Sequence, residues 1–155
     1  METAQLRSHQ IFQMLRPEQL NVLSAAAEEV VLQAGETVFE QGESAEYFFA
    51  VLDGLVSLRL PRPDGVSLLI DEVTKGAIFG SCVCFEIHNY TLTARCTENA
   101  RLLKIKASTL RKLMDDDLVM GYAIQTLVSR AYFKRYIDTM RKLQSIVQSI
   151  PLEAV

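Results

Sequence analysis

The segment with the clearest chemistry is Phe79-Gly80-Ser81-Cys82-Val83, which closes a short apolar run and turns on a glycine. A glycine-led turn that runs into a short helix aims several main-chain N–H groups, and the positive end of a helix dipole, at one place. Such a place attracts an anion, phosphate above all, without any charged side chain. Tyr90 and Thr91 add hydroxyls further along, so the candidate ligand-binding set begins as Phe79, Gly80, Ser81, Cys82, Val83, Tyr90 and Thr91. Arg130, Lys134, Arg135, Arg141 and Lys142 make the last helical stretch basic, and Arg130 joins the set as a countercharge. The plain alternative for these cations is a solvated helix face.

Other chemistries are weaker. Cys82, Cys84 and His88 lie close together in sequence, but a zinc site takes four ligands, commonly from C-x-x-C pairs, and nothing completes this one. Buried thiols are the expectation, with no metal. Cys82, Cys84 and Cys96 are an odd set without a C-x-x-C pair, which suits a reducing compartment. Asp115, Asp116 and Asp117 suit a helix start better than a metal cluster, because adjacent side chains point in different directions around a helix. His9 has no partner that the sequence identifies. No Ser/His/Asp set, carboxylate pair with a histidine, or P-loop glycine motif is present, so an enzyme is not expected.

These residues need a scaffold, and the glycines outline it. Gly35, Gly42, Gly54, Gly76 and Gly80 punctuate short apolar, β-branched and aromatic runs, as the corners of a small barrel would. Before them, Ile11, Phe12, Leu15, Leu20, Leu23 and Ala27 form a helical stripe over 11–27, with Pro17 able to start a second helix. The period changes at Glu29. Strands follow through Val56-Ser57-Leu58-Arg59-Leu60, a turn at Pro61-Arg62-Pro63-Asp64-Gly65, Val66 to Ile70, Leu92 to Cys96 and Arg101 to Ile105. Ser108 is placed to cap a short helix. From Leu118 apolar residues recur at three- and four-residue steps to Ile150, with a slip between Ala131 and Phe133.

The totals bound the function. One domain accounts for 155 residues with 49% hydrophobic and 23% charged residues. A net charge of -3 argues against direct nucleic-acid or anionic-membrane binding. No apolar run reaches the roughly 20 residues that span a bilayer. Met1-Glu2-Thr3-Ala4-Gln5 lacks the basic and apolar parts of a secretory signal, so the expected location is cytoplasmic.

The order of elements and three motifs resemble the cyclic-nucleotide-binding domain of the catabolite-activator (Crp/Fnr) type. Leu32 to Glu43, containing Gly35-Glu36-Thr37-Val38-Phe39-Glu40-Gln41-Gly42-Glu43, is similar to that family's G-E-x-I-x-x-Q-G-D stretch. Tyr47 to Val56 is similar to its L-Y-x-V-x-x-G-x-V strand pair, and Gly76-Ala77-Ile78-Phe79-Gly80 to its entry into the phosphate-binding cassette. The resemblance covers roughly 11–141 and implies an α+β, mainly β fold: a double-stranded β-helix, or jelly roll, flanked by N-terminal helices and a long C-terminal helix. It divides the chain into a helical segment at 1–28, the roll at 29–107 and the C-terminal helices at 108–155.

The resemblance also marks two departures. The family places a glutamate after the cassette glycine, for the ribose hydroxyl, and an arginine at the exit, for the cyclic phosphate; Ser81 and Tyr90 stand there instead. Exchanging a bidentate arginine for one neutral phenol removes a few kcal/mol, roughly two orders of magnitude in affinity. Two outcomes stay open. In one, cassette amides with Ser81, Tyr90 and Thr91 bind a cyclic nucleotide, cyclic dinucleotide or similar anion, and occupancy shifts the last helix. In the other, side chains fill the pocket, Tyr90 among them, and the domain is a protein-interaction module. The helical stripe outruns one barrel, so a homodimer is expected, with a protein partner to receive the signal. The family's transcription factors continue into a helix-turn-helix after the long helix, whereas this sequence ends at Val155, implying a partner-dependent regulator or a piece of a longer protein.

Overall fold

The computed structural model describes residues 12–151. Ile11, His9 and the Met1 to Gln5 stretch lie outside the described residues. The elements are α1 (Pro17–Ala26), β1 (Ala27–Leu32), β2 (Thr37–Phe39), β3 (Tyr47–Asp53), β4 (Val56–Pro61), β5 (Ser67–Val73), β6 (Ile78–Phe79), a 3-10 turn (Ser81–Phe85), β7 (Thr93–Cys96), β8 (Ala100–Lys106), α2 (Ala107–Asp116) and α3 (Leu118–Gln148). Two antiparallel four-stranded sheets, ordered β1-β8-β3-β6 and β2-β7-β4-β5, face each other as the expected jelly roll.

The first helical stretch breaks where proline dictates. Phe12 to Leu15 form a turn, closed by the Leu15 amide donating to the Phe12 carbonyl at 3.1 Å, and α1 begins at Pro17. Proline loses nothing there, since the first helical N–H has no partner within the helix. The strand after α1 starts at Ala27, two residues before the expected change at Glu29, because Ala27 and Glu28 already pair with Ile105 and Lys104 of β8.

β3 reads as an unbroken apolar run because both of its faces are covered. Phe49 points into the roll, where its ring stacks on Phe79 at 5.0 Å. Phe48 points the other way, sharing an apolar layer with Phe12, Leu15, Leu23, Ile105, Leu110 and Ile124. A strand buried on both sides loses the hydrophobic alternation that a half-exposed strand keeps.

At the C-terminal end Ser108 fails as a cap, and of the three aspartates expected at a helix start Asp115 and Asp116 end α2 while Asp117 alone precedes α3. Ser108 lies inside α2, not before it: β8 runs directly into the helix, and the Ala107 amide donates to the Glu46 carbonyl at 2.7 Å, extending the sheet ladder by one bond. Asp117 caps α3 by accepting the Met120 amide at 3.0 Å, and its second oxygen accepts from buried Gln19 of α1 at 2.8 Å. The Gln19 bond is the main reason its carboxyl stays ionised to lower pH than usual.

The slip in the α3 stripe is a change of partner. Met120, Ala123, Ile124 and Val128 are buried against the domain, whereas Phe133, Tyr136, Met140, Leu143 and Val147 are exposed. Phe133 follows Val128 by five residues, so it points about 140° away around the helix. The apolar seam therefore rotates off the roll. No helix among the described residues is long and apolar enough to cross a membrane.

Candidate functional site

Gly80 holds the cassette turn in the left-handed region, with φ 67°. A Cβ there would lie 3.0 Å from the Phe49 ring and 3.1 Å from the Tyr47 carbonyl, so both conformation and crowding select glycine. The turn that follows buries Ser81, Cys82 and Val83. Burial pushes the Cys82 thiol up, against a lowering pull from the Val83 and Cys82 amides.

Tyr90 is folded into the same corner. Its ring stacks on Phe39 at 3.7 Å and joins the packed rings of Phe49 and Phe79. The hydroxyl donates to the Tyr47 carbonyl at 2.7 Å and accepts the Tyr47 amide at 3.0 Å. The main chain is fixed too, with the Tyr90 amide on the Glu43 carbonyl and the Gly42 amide on the Tyr90 carbonyl, both at 2.9 Å. Burial raises the phenol to about 12, so the corner contains a neutral hydroxyl at every physiological pH.

The structure thus gathers Phe79, Gly80, Ser81, Cys82, Val83 and Tyr90 at one corner, and separates Thr91 and Arg130 from it. Thr91 is exposed, its carbonyl accepting the Gln41 side-chain amide at 3.2 Å. Arg130 is also exposed, on the side of α3 turned away from the roll, in a groove with Tyr122, Thr126, Phe133 and Ile137. Two of the other helix cations hold α3 onto β5. Arg135 pairs with Asp71 at 3.0 Å, and Lys142 donates to the Ile70 carbonyl at 2.9 Å. Between the cassette and α3 stand Phe85 and Tyr132, packed edge to face at 5.3 Å.

Cys82, Cys84 and His88 do not converge; among the described residues no group of three suited to a metal ion forms. Burial lifts the Cys84 thiol to about 11, which keeps it protonated and unreactive.

The sequence did not single out Arg111. From α2 it reaches the outer side of the cassette, where Nη1 pairs with Glu86 at 3.1 Å and Nη2 donates to the Val83 carbonyl at 3.2 Å. Glu86 ends the 3-10 turn at φ 59°, the one non-glycine residue with positive φ among those described. Asparagine or aspartate in that place would have signalled a left-handed corner, but glutamate carries no such hint.

The family model of the cyclic nucleotide-binding domain matches residues 29–117. The chain is 23% identical over 141 residues to the cAMP-dependent protein kinase regulatory subunit of Dictyostelium discoideum, a match covering 91% of this chain and 41% of that protein. It is 26% identical over 106 residues to the CRP-like cAMP-activated global transcriptional regulator of Mycobacterium tuberculosis, covering 68% of this chain and 47% of the regulator. It spans less than half the length of these curated relatives, both regulators by name. A structure from Geobacter metallireducens, described provisionally as a cyclic nucleotide-binding protein, superposes with TM-score 0.77 at 26% identity, covering 88% of this chain and 98% of that one. With the jelly roll, the cassette turn and the long helix in place, the chain belongs to the cyclic nucleotide-binding domain family, in its Crp/Fnr-like form.

Proposed function

We propose that this domain is a regulatory module that works by protein contact through α3, with its nucleotide corner closed by its own Tyr90. The observation that carries this is the pair of bonds from the Tyr90 hydroxyl to the Tyr47 main chain, under a ring stacked on Phe39. A cyclic phosphate entering this corner would displace the ring, and neither Ser81 nor Tyr90 offers it a charge in exchange. Desolvating an uncompensated anion costs several kcal/mol. The uncovered surface is instead the α3 seam of Phe133, Tyr136, Met140 and Leu143, which suits a second copy related by a two-fold axis.

A second reading keeps the corner as a ligand site, favoured by the left-handed Gly80 and the buried Ser81 that preserve the turn. A cyclic nucleotide or cyclic dinucleotide would then swing Tyr90 out and bind the amides of Phe79 to Val83, with Thr91 at the rim and Arg130 supplied across a dimer. Occupancy would pass to α3 through Phe85 and Tyr132.

Calorimetric and thermal-shift titration with cyclic AMP, cyclic GMP and cyclic di-GMP separates the two. The closed module gives neither heat nor shift, whereas saturable binding with any of them establishes the ligand site. Tyr90→Arg combined with Ser81→Glu is expected to create cyclic AMP binding. A folded double variant that ignores cyclic AMP would mean that these positions do not face the pocket.

A further inference from the structure

Outside the roll, against the back of the cassette, lies an open cavity of about 650 Å³ lined by Ser44, Val83, Glu86, His88, Ser108 and Arg111, among others. That size is ordinary for a small-molecule site. An adjoining, more enclosed cavity of about 170 Å³ is lined by Val83, Cys84, Leu110, Met114, Asp115 and Gln125. Val83, Ala107 and Arg111 line both spaces. Arg111 therefore stands where the two spaces meet.

We propose that these joined cavities bind a short-chain carboxylate, whose head takes the place of Glu86 on Arg111 and whose aliphatic body lies along Val83, Leu110 and Met114. The guanidinium fork matches a carboxylate, and Glu86 already shows such a group in place at 3.1 Å. The Val83 carbonyl holds Nη2 at 3.2 Å, which fixes the fork and leaves Nη1 for exchange. Glu86 is a replaceable occupant. Its side chain is 76% exposed, so the pair is weak, and its left-handed backbone at φ 59° is strained for a residue with a side chain. The carboxylate of Asp115 also lines the more enclosed cavity, which disfavours a longer apolar tail there.

Displacement has a consequence for the helix. Once Glu86 leaves Arg111, the end of the 3-10 turn is free to relax. Its neighbour Phe85 packs on Tyr132 of α3, so binding outside the roll reaches the same helix without opening the Tyr90 corner.

The test is titration of the full chain with sodium butanoate and sodium hexanoate, followed by thermal shift and by the tyrosine signal, with butanol and hexanol as uncharged controls. Saturable binding of hexanoate but not hexanol is expected. Arg111→Gln should weaken it at least tenfold while leaving the circular dichroism spectrum unchanged, and Glu86→Gln, which removes the competing charge, should tighten it severalfold. If Arg111→Gln disturbs the fold, the Glu86→Gln comparison decides alone. No saturable carboxylate binding, equal binding of the alcohols, or no gain in Glu86→Gln would overturn the proposal.

Discussion

The two sides of this domain treat apolar surface in opposite ways. At the cassette corner, Phe39, Phe49, Phe79 and Tyr90 pack on one another and the single polar group among them is bonded twice to the backbone. Along the second half of α3, Phe133, Tyr136, Met140 and Leu143 lie exposed, with the Phe133 ring stacked on Tyr136 at 6.2 Å. A pocket built for an exchangeable guest keeps unfilled contacts; a surface built for a partner keeps its contacts outside. On the proposed reading the corner is complete and the helix awaits a partner.

The largest expected effect tests the completeness of the corner. Phe79 has no exposed surface and touches two other rings, so Phe79→Ala should cost about 4 kcal/mol in urea unfolding. A loss under about 1 kcal/mol would show that the rings are loosely held and the corner free to open.

The helix side is tested by charge. Met140→Glu together with Leu143→Glu should shift a dimer to monomer in sedimentation velocity, raising its dissociation constant about a hundredfold or more. Monomer stability should change by no more than about 0.5 kcal/mol, since both residues are exposed. A wild-type chain that sediments as a monomer at all concentrations would remove the contrast.

Tyr90→Phe probes the latch alone. Losing the hydroxyl, with its two bonds to Tyr47, should cost about 1 to 2 kcal/mol. The sign with pH follows from the phenol, whose pKa rises from 10.0 in the unfolded chain to about 12 in the fold. Its contribution is whole below pH 10 and is lost as pH climbs from 10 through about 12. Tyr132, also raised to about 12, adds to that slope. Tyr90→Phe should therefore flatten the alkaline loss without abolishing it; an unchanged slope would place the titration elsewhere.

The smallest effect lies where the two sides join. Asp71→Asn weakens the Arg135 pair, and should cost about 0.5 to 1 kcal/mol while speeding amide exchange in α3 beyond residue 135. No change in exchange there would show that Lys142 suffices to hold the helix.

Local chemistry was legible where it is enforced locally. The glycine at 80 announced a left-handed turn, Pro17 one helix start and the aspartates up to Asp117 another, because each acts within a few residues of itself. The slip at Ala131 to Phe133 was visible as a break in period, though not as a change of face. Ser108 misled because a strand that runs straight into a helix needs no capping side chain. The contacts Arg111 to Glu86 and Arg135 to Asp71 join residues 25 and 64 positions apart, and no local pattern encodes such meetings.

Residue types alone determined that this chain lacks the carboxylate and the guanidinium its relatives' motif would place around a cyclic phosphate, since charge is a property of the side chain wherever it sits. Whether the vacated corner stays open or closes was decided by tertiary structure. The phenol of Tyr90 could serve a ligand or the Tyr47 backbone, and the placement of β3 beside the cassette, with Phe39 under the ring, is what bonds it to Tyr47.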